Sequence, residues 1–152
     1  VFSLKVMDLN GEIKILNKDQ IKFFYRGTSL NKNFIILSVI LLGKKSSKQI
    51  IRSKVENLIN KKKNSQPSRI KTCGSTFKNP INQKAWQLIK SSNCKDLKIG
   101  GAKISPQHCN FFLNDGNATS SDIENLIQKV KSEVLEKTGV NLELELKIVG
   151  RK

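Results

Sequence analysis

The sequence has few of the residues that build metal sites and disulfide frameworks. Its 152 residues include three cysteines, Cys73, Cys94 and Cys109, and one histidine, His108. The cysteines are odd in number, widely spaced and without a C-x-x-C pair, which argues against both a disulfide framework and a zinc site. We therefore expect no bound metal, and we interpret each cysteine as a small apolar residue and not as a nucleophile.

Long apolar runs and targeting signals are missing as well. The longest apolar run, Phe34 to Leu42, is far shorter than the roughly 20 residues with which a helix crosses a bilayer. The chain opens on Val1 and shows no amino-terminal signal pattern. From these absences we expect a cytoplasmic protein, or a fragment of one, that has no membrane partner.

Acidic residues are scarce relative to basic ones. The chain has 28 lysines and arginines against 12 aspartates and glutamates, a formal net charge of +16. Such a balance is typical of nucleic-acid-binding proteins, in which clustered basic residues displace phosphate counterions. Here the basic residues are spread along the chain, and no basic stripe interleaved with aromatic residues is visible. We therefore predict no nucleic-acid partner, and a basic nucleic-acid-binding module with one Lys/Arg face remains the alternative function.

The first part of the chain is predicted to form a hairpin and a buried strand. Apolar residues alternate over 2–6 and 13–15, on either side of Asn10-Gly11, which is the favoured pair for a type I′ turn. The continuous apolar run from Phe34 to Leu42 is typical of a strand that is buried on both faces.

A helix is predicted next, beginning after Ser46 or Ser47, either of which would cap its first turn, and running to Lys63. Its apolar positions recur at helical spacing: Ile50, Ile51, Val55, Leu58 and Ile59. The segment 64–68 breaks this pattern, so we place a domain boundary there, between residues 1–66 and 67–152.

The second part of the chain is predicted to mix short strands with two helices. Asn82 is expected to cap a short helix, and a capping box at Ser121 to Glu124 is expected to begin a longer one that ends at Gly139. A strand interrupted by a glycine pair is predicted over 97–104, and another strand over 111–113. Strands and helices without strict alternation are typical of an α+β fold.

Strict alternation near the carboxyl end predicts a closing strand over 140–148. Its polar face would present Glu143, Glu145 and Lys147. Its apolar face consists of five residues: Val140, Leu142, Leu144, Leu146 and Ile148.

Three residues are candidates for chemistry on local grounds, each with an ordinary structural alternative. Ser75 follows a glycine in a loop, where its hydroxyl and nearby backbone N–H groups could bind an anion or simply complete a turn. Glu145 is either a functional or a solvated carboxylate on the closing strand. Arg26 beside Tyr25 could clamp a carboxylate or phosphate, or pack its stem on Phe24.

The stretch Gly74 to Pro80 resembles the G-S-x-F-K-N-P segment of the UDP-N-acetylmuramate dehydrogenase (MurB) family. Further blocks resemble that family in the same order and spacing, so that the resemblance covers Gln66 to Gly150: Ala85–Ile89, Lys98–Ser105, His108–Phe111, Asn114–Thr119 and Gly139–Glu145. Upstream, Asp8–Gly11 and Phe24–Arg26 resemble the end of the family's flavin-binding domain. Because several independent blocks agree in order, we identify the chain as similar to the carboxyl-terminal part of this family.

The resemblance implies an FAD-dependent oxidoreductase of peptidoglycan synthesis. In this family NADPH reduces FAD, and reduced flavin passes a hydride to the enolpyruvyl carbon of UDP-N-acetylglucosamine enolpyruvate, which becomes UDP-N-acetylmuramate. Ser75 falls on the family's serine general acid, Glu145 on its catalytic glutamate and Arg26 on an active-site arginine. Substrate contacts are implied for four more residues: Lys78, Asn79, Tyr25 and His108.

The sequence also departs from the family pattern. Leu144 and Lys147 stand where the family usually has proline and arginine, and lysine lacks the fork of arginine. The family's glycine-rich amino-terminal flavin lobe has no counterpart, so we expect 1–66 to be an incomplete end of the flavin-binding α+β domain and 67–152 to be the α+β substrate domain. Most FAD contacts would lie in the missing lobe, for which a separate chain is a candidate partner. A non-catalytic remnant of a split gene is the remaining alternative.

Overall fold

The computed structural model describes residues 1–150 and divides the chain into two compact units. Unit 1 comprises Val1–Ile51, and unit 2 begins at Arg52. Strands and helices follow each other without strict alternation, so the predicted α+β class is confirmed. The domain boundary at residue 66 stays a prediction. Among residues 1–150, no helix combines the length and the apolar character that a bilayer span requires.

Unit 1 is built on a three-stranded antiparallel sheet. Strand β1 (Ser3–Met7) lies in the centre, between β2 (Ile13–Asn17) and an edge strand. The hairpin of β1 and β2 is confirmed, but the predicted type I′ turn is wrong, because that turn needs two positive φ angles and only Gly11 has one, at 85°. The Asp8 carboxylate instead accepts hydrogen bonds from the N–H groups of Asn10 (2.9 Å) and Glu12 (3.0 Å), which fixes a longer loop.

The edge strand of this sheet corrects a prediction about burial. Strand β5 (Ile35–Ile40) pairs with β1 as a strand should, yet every one of its side chains is exposed instead of being buried on both faces. The buried core of unit 1 contains only Leu4, Val6 and Ile21. An apolar run indicates that a strand can be buried, but a covering layer must also be present, and the described part of unit 1 supplies none for β5.

Two shorter strands lie in unit 1, and a helix begins there and continues past the boundary at Ile51. Strands β3 (Phe23–Phe24) and β4 (Gly27–Thr28) form a small antiparallel hairpin, with Tyr25 and Arg26 between them. Helix α1 (Lys48–Ser65) is confirmed, and the Ser47 hydroxyl accepts a hydrogen bond from the Ile50 N–H (3.3 Å) at its start. None of its residues is buried.

Unit 2 contains a four-stranded antiparallel sheet in the order β6-β9-β8-β7. Its strands are β6 (Lys71–Ser75), β7 (Lys98–Ile99), β8 (Ala102–Ile104) and β9 (Phe111–Asn114). The strand predicted over 111–113 is confirmed. The single interrupted strand predicted over 97–104 is wrong, because the glycine pair forms the turn of a hairpin between β7 and β8.

Two helices pack in unit 2. Helix α2 (Ala85–Ser91) is not capped by Asn82, as predicted, because the Asn79 side-chain oxygen accepts the hydrogen bond from the Ala85 N–H (3.0 Å). Helix α3 (Ser120–Thr138) begins two residues earlier than the predicted box, at Thr119, whose hydroxyl and backbone N–H both bond to Asp122. Its end at Gly139, in the left-handed region with φ 71°, is confirmed.

The closing strand predicted over 140–148 is wrong, although its alternation predicts burial correctly as far as Leu146. Leu142 is fully buried, and the three other apolar residues up to 146 pack against the same core, whereas Ile148 is 49% exposed. Only one bridge, Phe77 to Leu144, forms in this segment. Two backbone hydrogen bonds accompany this bridge, from the Lys78 N–H to the Glu143 carbonyl (2.8 Å) and from the Glu145 N–H to the Thr76 carbonyl (2.9 Å). Alternation therefore reports which side faces the core, not whether a partner strand runs alongside.

Candidate functional site

Ser75 and Glu145, more than 60 residues apart in sequence, lie on neighbouring segments of unit 2. Ser75 is the last residue of β6 and is half-buried. The backbone carbonyl of the next residue, Thr76, accepts a hydrogen bond from the Glu145 N–H (2.9 Å). The bridge between Phe77 and Leu144 continues this pairing. The structure therefore brings two of the three predicted catalytic residues, Ser75 and Glu145, to the same part of the unit.

Glu145 lies at the border between the core and the surface. Leu144 and Leu146 on either side of it pack against the core, and its carboxylate oxygen Oε2 is shielded from solvent. A carboxylate in this position acts in a less polar medium than water, so that its interactions with a bound charge are stronger than on an open surface.

Lys78 and Asn79, two predicted substrate contacts, extend the same segment. The Lys78 N–H donates to the Glu143 carbonyl (2.8 Å), and its ammonium forms an ion pair with the Glu143 carboxylate (3.2 Å). Both side chains are substantially exposed, so this pair is weak and lysine can exchange it for an anionic ligand. The Asn79 side-chain oxygen is engaged in capping α2. A ligand contact of Asn79 would therefore use the amide nitrogen.

His108 lies at a cavity of about 360 Å³. The cavity is lined by basic, aromatic and polar residues, among them Trp86, Lys90, Lys95, Gln107, His108 and Cys109. The His108 ring stands edge-on to Phe111, with 4.8 Å between the ring centroids. Burial lowers the pKa of the imidazole, against an opposing effect of its own backbone, so the ring is mostly neutral at pH 7. Two lysines beside an indole ring suit an anionic ligand that carries a flat ring.

Tyr25 and Arg26 are residues of unit 1, whereas the other predicted site residues belong to unit 2. The Arg26 guanidinium carbon lies 5.4 Å from the centroid of the Tyr25 ring, within reach of a cation–π interaction. Arg26 has a φ of 59°, an uncommon conformation for a residue with a side chain. Such backbone strain often accompanies a functional position.

Several residues at this site were not predicted from the sequence. Asn110, which is 3% exposed, forms hydrogen bonds with Phe77, two residues after Ser75. Trp86, Lys90 and Lys95 line the cavity at His108. Nothing in the sequence distinguishes these lysines from the many other basic residues. The sequence does distinguish Asn110, because it is a polar residue within the apolar stretch 109–113. A polar residue that is buried in such a stretch needs hydrogen-bond partners.

The glycine pair between β7 and β8 does not form an open cradle for the pyrophosphate of FAD. Dinucleotides are ordinarily held by an open glycine-rich turn before a helix. The glycine pair in the turn between β7 and β8 is filled from within the unit. A Cβ placed at Gly101 would lie 2.4 Å from the Ala118 backbone nitrogen, and one at Gly100 would lie 2.4 Å from the Asp122 carboxylate. Within residues 1–150, no group of three His, Cys, Asp or Glu side chains could hold a metal ion.

Comparison with known proteins places the chain in a family. The model of the UDP-N-acetylenolpyruvoylglucosamine reductase C-terminal domain matches residues 66–149. The UDP-N-acetylenolpyruvoylglucosamine reductase of Wolbachia sp. subsp. Drosophila simulans (strain wRi) is 44% identical over 151 residues, which are 99% of this chain and 51% of the relative. That of Gluconobacter oxydans (strain 621H) is 40% identical over 147 residues, which are 97% of this chain and 48% of the relative.

A solved structure agrees with the sequence relatives. The crystal structure of UDP-N-acetylenolpyruvylglucosamine reductase (MurB) from Thermus caldophilus superposes with a TM-score of 0.81 at 32% identity, covering 95% of this chain and 51% of that one. The chain thus spans about half the length of the relatives that it matches. The resemblance noted in the sequence is confirmed: the chain belongs to the UDP-N-acetylenolpyruvoylglucosamine reductase family.

Proposed function

We propose that this chain supplies the substrate-binding part of a cytoplasmic UDP-N-acetylmuramate dehydrogenase. The enzyme would use FAD and NADPH to reduce UDP-N-acetylglucosamine enolpyruvate to UDP-N-acetylmuramate for peptidoglycan synthesis. The observation that carries this proposal is the hydrogen bond from the Glu145 N–H to the Thr76 carbonyl, which puts Glu145 beside the residue that follows Ser75. Family membership supports the proposed reaction, and this geometry supports its location in unit 2.

Ser75 is proposed as the proton donor of the reaction. The Ser75 hydroxyl would protonate the carbon next to the enolpyruvyl carbon that accepts a hydride, and a bound flavin would supply that hydride. A serine hydroxyl is a weak acid, so this role requires a preorganised site that excludes water. The half-buried position of Ser75 and the shielded oxygen of Glu145 support such a site.

The charges of the substrate suit the basic residues of the site. A nucleotide sugar carries an anionic diphosphate, for which Lys78 and the lysines of the His108 cavity are suitable partners. We propose that Asn79 and His108 donate hydrogen bonds to the same ligand. Arg26, with Tyr25, is proposed to bind the carboxylate and the charge that develops beside it, because a guanidinium pairs well with a carboxylate.

The flavin is proposed to be held mostly by residues outside this sequence. The relatives are about twice as long as this chain. Residues 67–152 would form the substrate domain, and 1–66 would complete a flavin-binding domain whose remainder lies elsewhere, on the same polypeptide or on a separate chain. The exposed apolar side chains of β5 support this division, since such a strand is ordinarily covered.

The test is an assay of NADPH oxidation that depends on UDP-N-acetylglucosamine enolpyruvate. The chain would be fused behind the amino-terminal half of the Gluconobacter relative, with the chain alone measured in parallel by flavin titration. Ser75→Ala should lower kcat by about 100-fold or more, as loss of a general acid does, while leaving KM nearly unchanged. Ser91→Ala, at an exposed serine of α2, is the matched control. A Ser75→Ala fusion with normal kcat would refute the proposed role, and tight FAD binding by the chain alone would refute the division.

A further inference from the structure

Asn110 uses all of its polar groups to join two parts of the site. The Phe77 N–H donates to its side-chain oxygen (2.9 Å), and its amide nitrogen donates to the Phe77 carbonyl (2.8 Å). Its backbone carbonyl accepts from the Thr76 N–H (2.8 Å). Its own N–H donates to Nδ1 of His108 (3.3 Å). The side chain is nine-tenths or more buried, so its two bonds to Phe77 are shielded from water.

The three bonds to Thr76 and Phe77 act next to Ser75. Thr76 also accepts the hydrogen bond from the Glu145 N–H, so the segment 76–77 is held on one side by Asn110 and on the other by Glu145. The amide of Asn110 bonds to both backbone groups of Phe77, as a neighbouring strand would. This arrangement leaves the segment that follows Ser75 little freedom to shift.

The bond to His108 fixes the chemistry of the ring. A neutral imidazole has one donor and one acceptor nitrogen, and because Nδ1 accepts here, the proton resides on Nε2. His108 then offers a hydrogen-bond donor and not an acceptor. A donor beside two lysines suits the oxygens of an anionic ligand.

We propose that Asn110 is a positioning residue. It holds residues 75–77 against residues 143–145, and it keeps His108 in the form whose Nε2 is the hydrogen-bond donor. The expected effect on ligand binding rests on the proposed function, whereas the hydrogen bonds of Asn110 are a property of the fold. Asn110 touches no reacting atom. It acts through the residues that it holds.

The test compares Asn110→Ala with Asn114→Ala in the full chain. Asn114 ends β9, the strand that begins directly after Asn110. Its side chain makes three hydrogen bonds to the loop 116–118, against two from the Asn110 side chain, so it controls for loss of an amide without removing a bond to residues 75–77. We expect the Phe77 amide to exchange with deuterium about tenfold faster in Asn110→Ala than in Asn114→Ala, since one to two buried hydrogen bonds are lost. The affinity for UDP-N-acetylmuramate should fall by about the same factor in Asn110→Ala only.

The ring of His108 provides a second test, because His108 is the only histidine in the chain and its signals are unambiguous. With ¹⁵N-labelled histidine, one pair of ring nitrogen signals should show the neutral Nε2–H form in the wild type. An Nδ1–H ring, or equal exchange of the Phe77 amide in the two variants, would overturn the inference. Failure of the wild-type chain to bind UDP-N-acetylmuramate would count against the proposed function instead. The deuterium exchange of the Phe77 amide and the ring nitrogen signals of His108 would still test whether Asn110 is a positioning residue.

Discussion

Strands β5 of unit 1 and β9 of unit 2 are both apolar, yet they have opposite environments. The β9 residues Phe111, Phe112 and Leu113 are all buried, between two neighbouring strands. The β5 residues are all exposed, at the edge of a sheet. Among residues 1–150, the buried core cluster of unit 2 contains thirteen apolar residues and that of unit 1 contains three. The difference shows that an apolar strand is buried only where a layer of other residues covers it. Among the described residues, unit 2 supplies such a layer for β9 and unit 1 supplies none for β5.

The largest expected effect comes from emptying a core position in unit 2. Phe77 is 1% exposed and stands edge-on to Phe112, with ring centroids 5.9 Å apart. Phe77→Ala should lower the free energy of unfolding of unit 2 by about 3–5 kcal/mol, because it leaves a cavity. Leu37→Ala, on the exposed β5, should cost less than about 1 kcal/mol in unit 1.

Each unit carries its own fluorescent reporter for this comparison. Trp86 is the only tryptophan and lies in unit 2, whereas Tyr25 is the only tyrosine and lies in unit 1. Urea unfolding followed by both signals would measure the two variants separately. Comparable losses for Phe77→Ala and Leu37→Ala would contradict the contrast between the units.

Signals within a few residues predicted much of this fold, and contacts between distant residues account for what was missed. The hairpin after β1, the helix α1 and the end of α3 at Gly139 follow from local spacing and turn residues, and all three are confirmed. The burial of β5 and the strand over 140–148 depend on a covering layer and on a partner strand. Local spacing encodes neither, and both predictions are wrong.

The candidate site divides in the same way. Local signals marked Ser75 and Glu145 only as candidates with ordinary alternatives, and their catalytic roles came from the resemblance alone. Their closeness depends on a bridge between segments 67 residues apart, which local signals do not encode. Asn110 could have been suspected as a polar residue in an apolar run. Its partner Phe77, 33 residues away, could not have been inferred from the sequence.

Removing a helix cap should lower the stability of unit 2 moderately at α3 and hardly at all at α1. Thr119 caps α3, which buries four residues in the core of unit 2, so Thr119→Ala should lower the free energy of unfolding by about 1 kcal/mol. Ser47 caps α1, which buries none, so Ser47→Ala should fray that helix without shifting the unfolding of unit 2. Circular dichroism would report the helix, and tryptophan fluorescence the unit. A shift of the fluorescence midpoint in Ser47→Ala would show that α1 does support unit 2.

The smallest effect should appear only in acid. Glu133 of α3 lies between Lys129 (2.8 Å) and Lys137 (2.9 Å), and Lys137 also bonds to the Ser92 carbonyl at the end of α2 (2.9 Å). The hydrogen bonds and charges of the two lysines lower the pKa of Glu133 from 4.5 to about 2. Its folded-state pKa is below that of the unfolded chain. Glu133 therefore stabilises unit 2 above about pH 4.5, and this contribution is lost as the pH falls toward about 2.

In Glu133→Gln, the stability of unit 2 should consequently fall less steeply than in the wild type as the pH is lowered over that interval. Unfolding followed by tryptophan fluorescence at each pH would measure this. The matched control is Glu56→Gln in α1, where the glutamate is exposed and lies 3.7 Å from Arg52. An exposed pair on a helix that buries nothing contributes little, so this variant should keep the wild-type acid profile in unit 2. If both variants flattened the profile equally, the acid response would belong to the net charge of the chain and not to the lysine pair of α3.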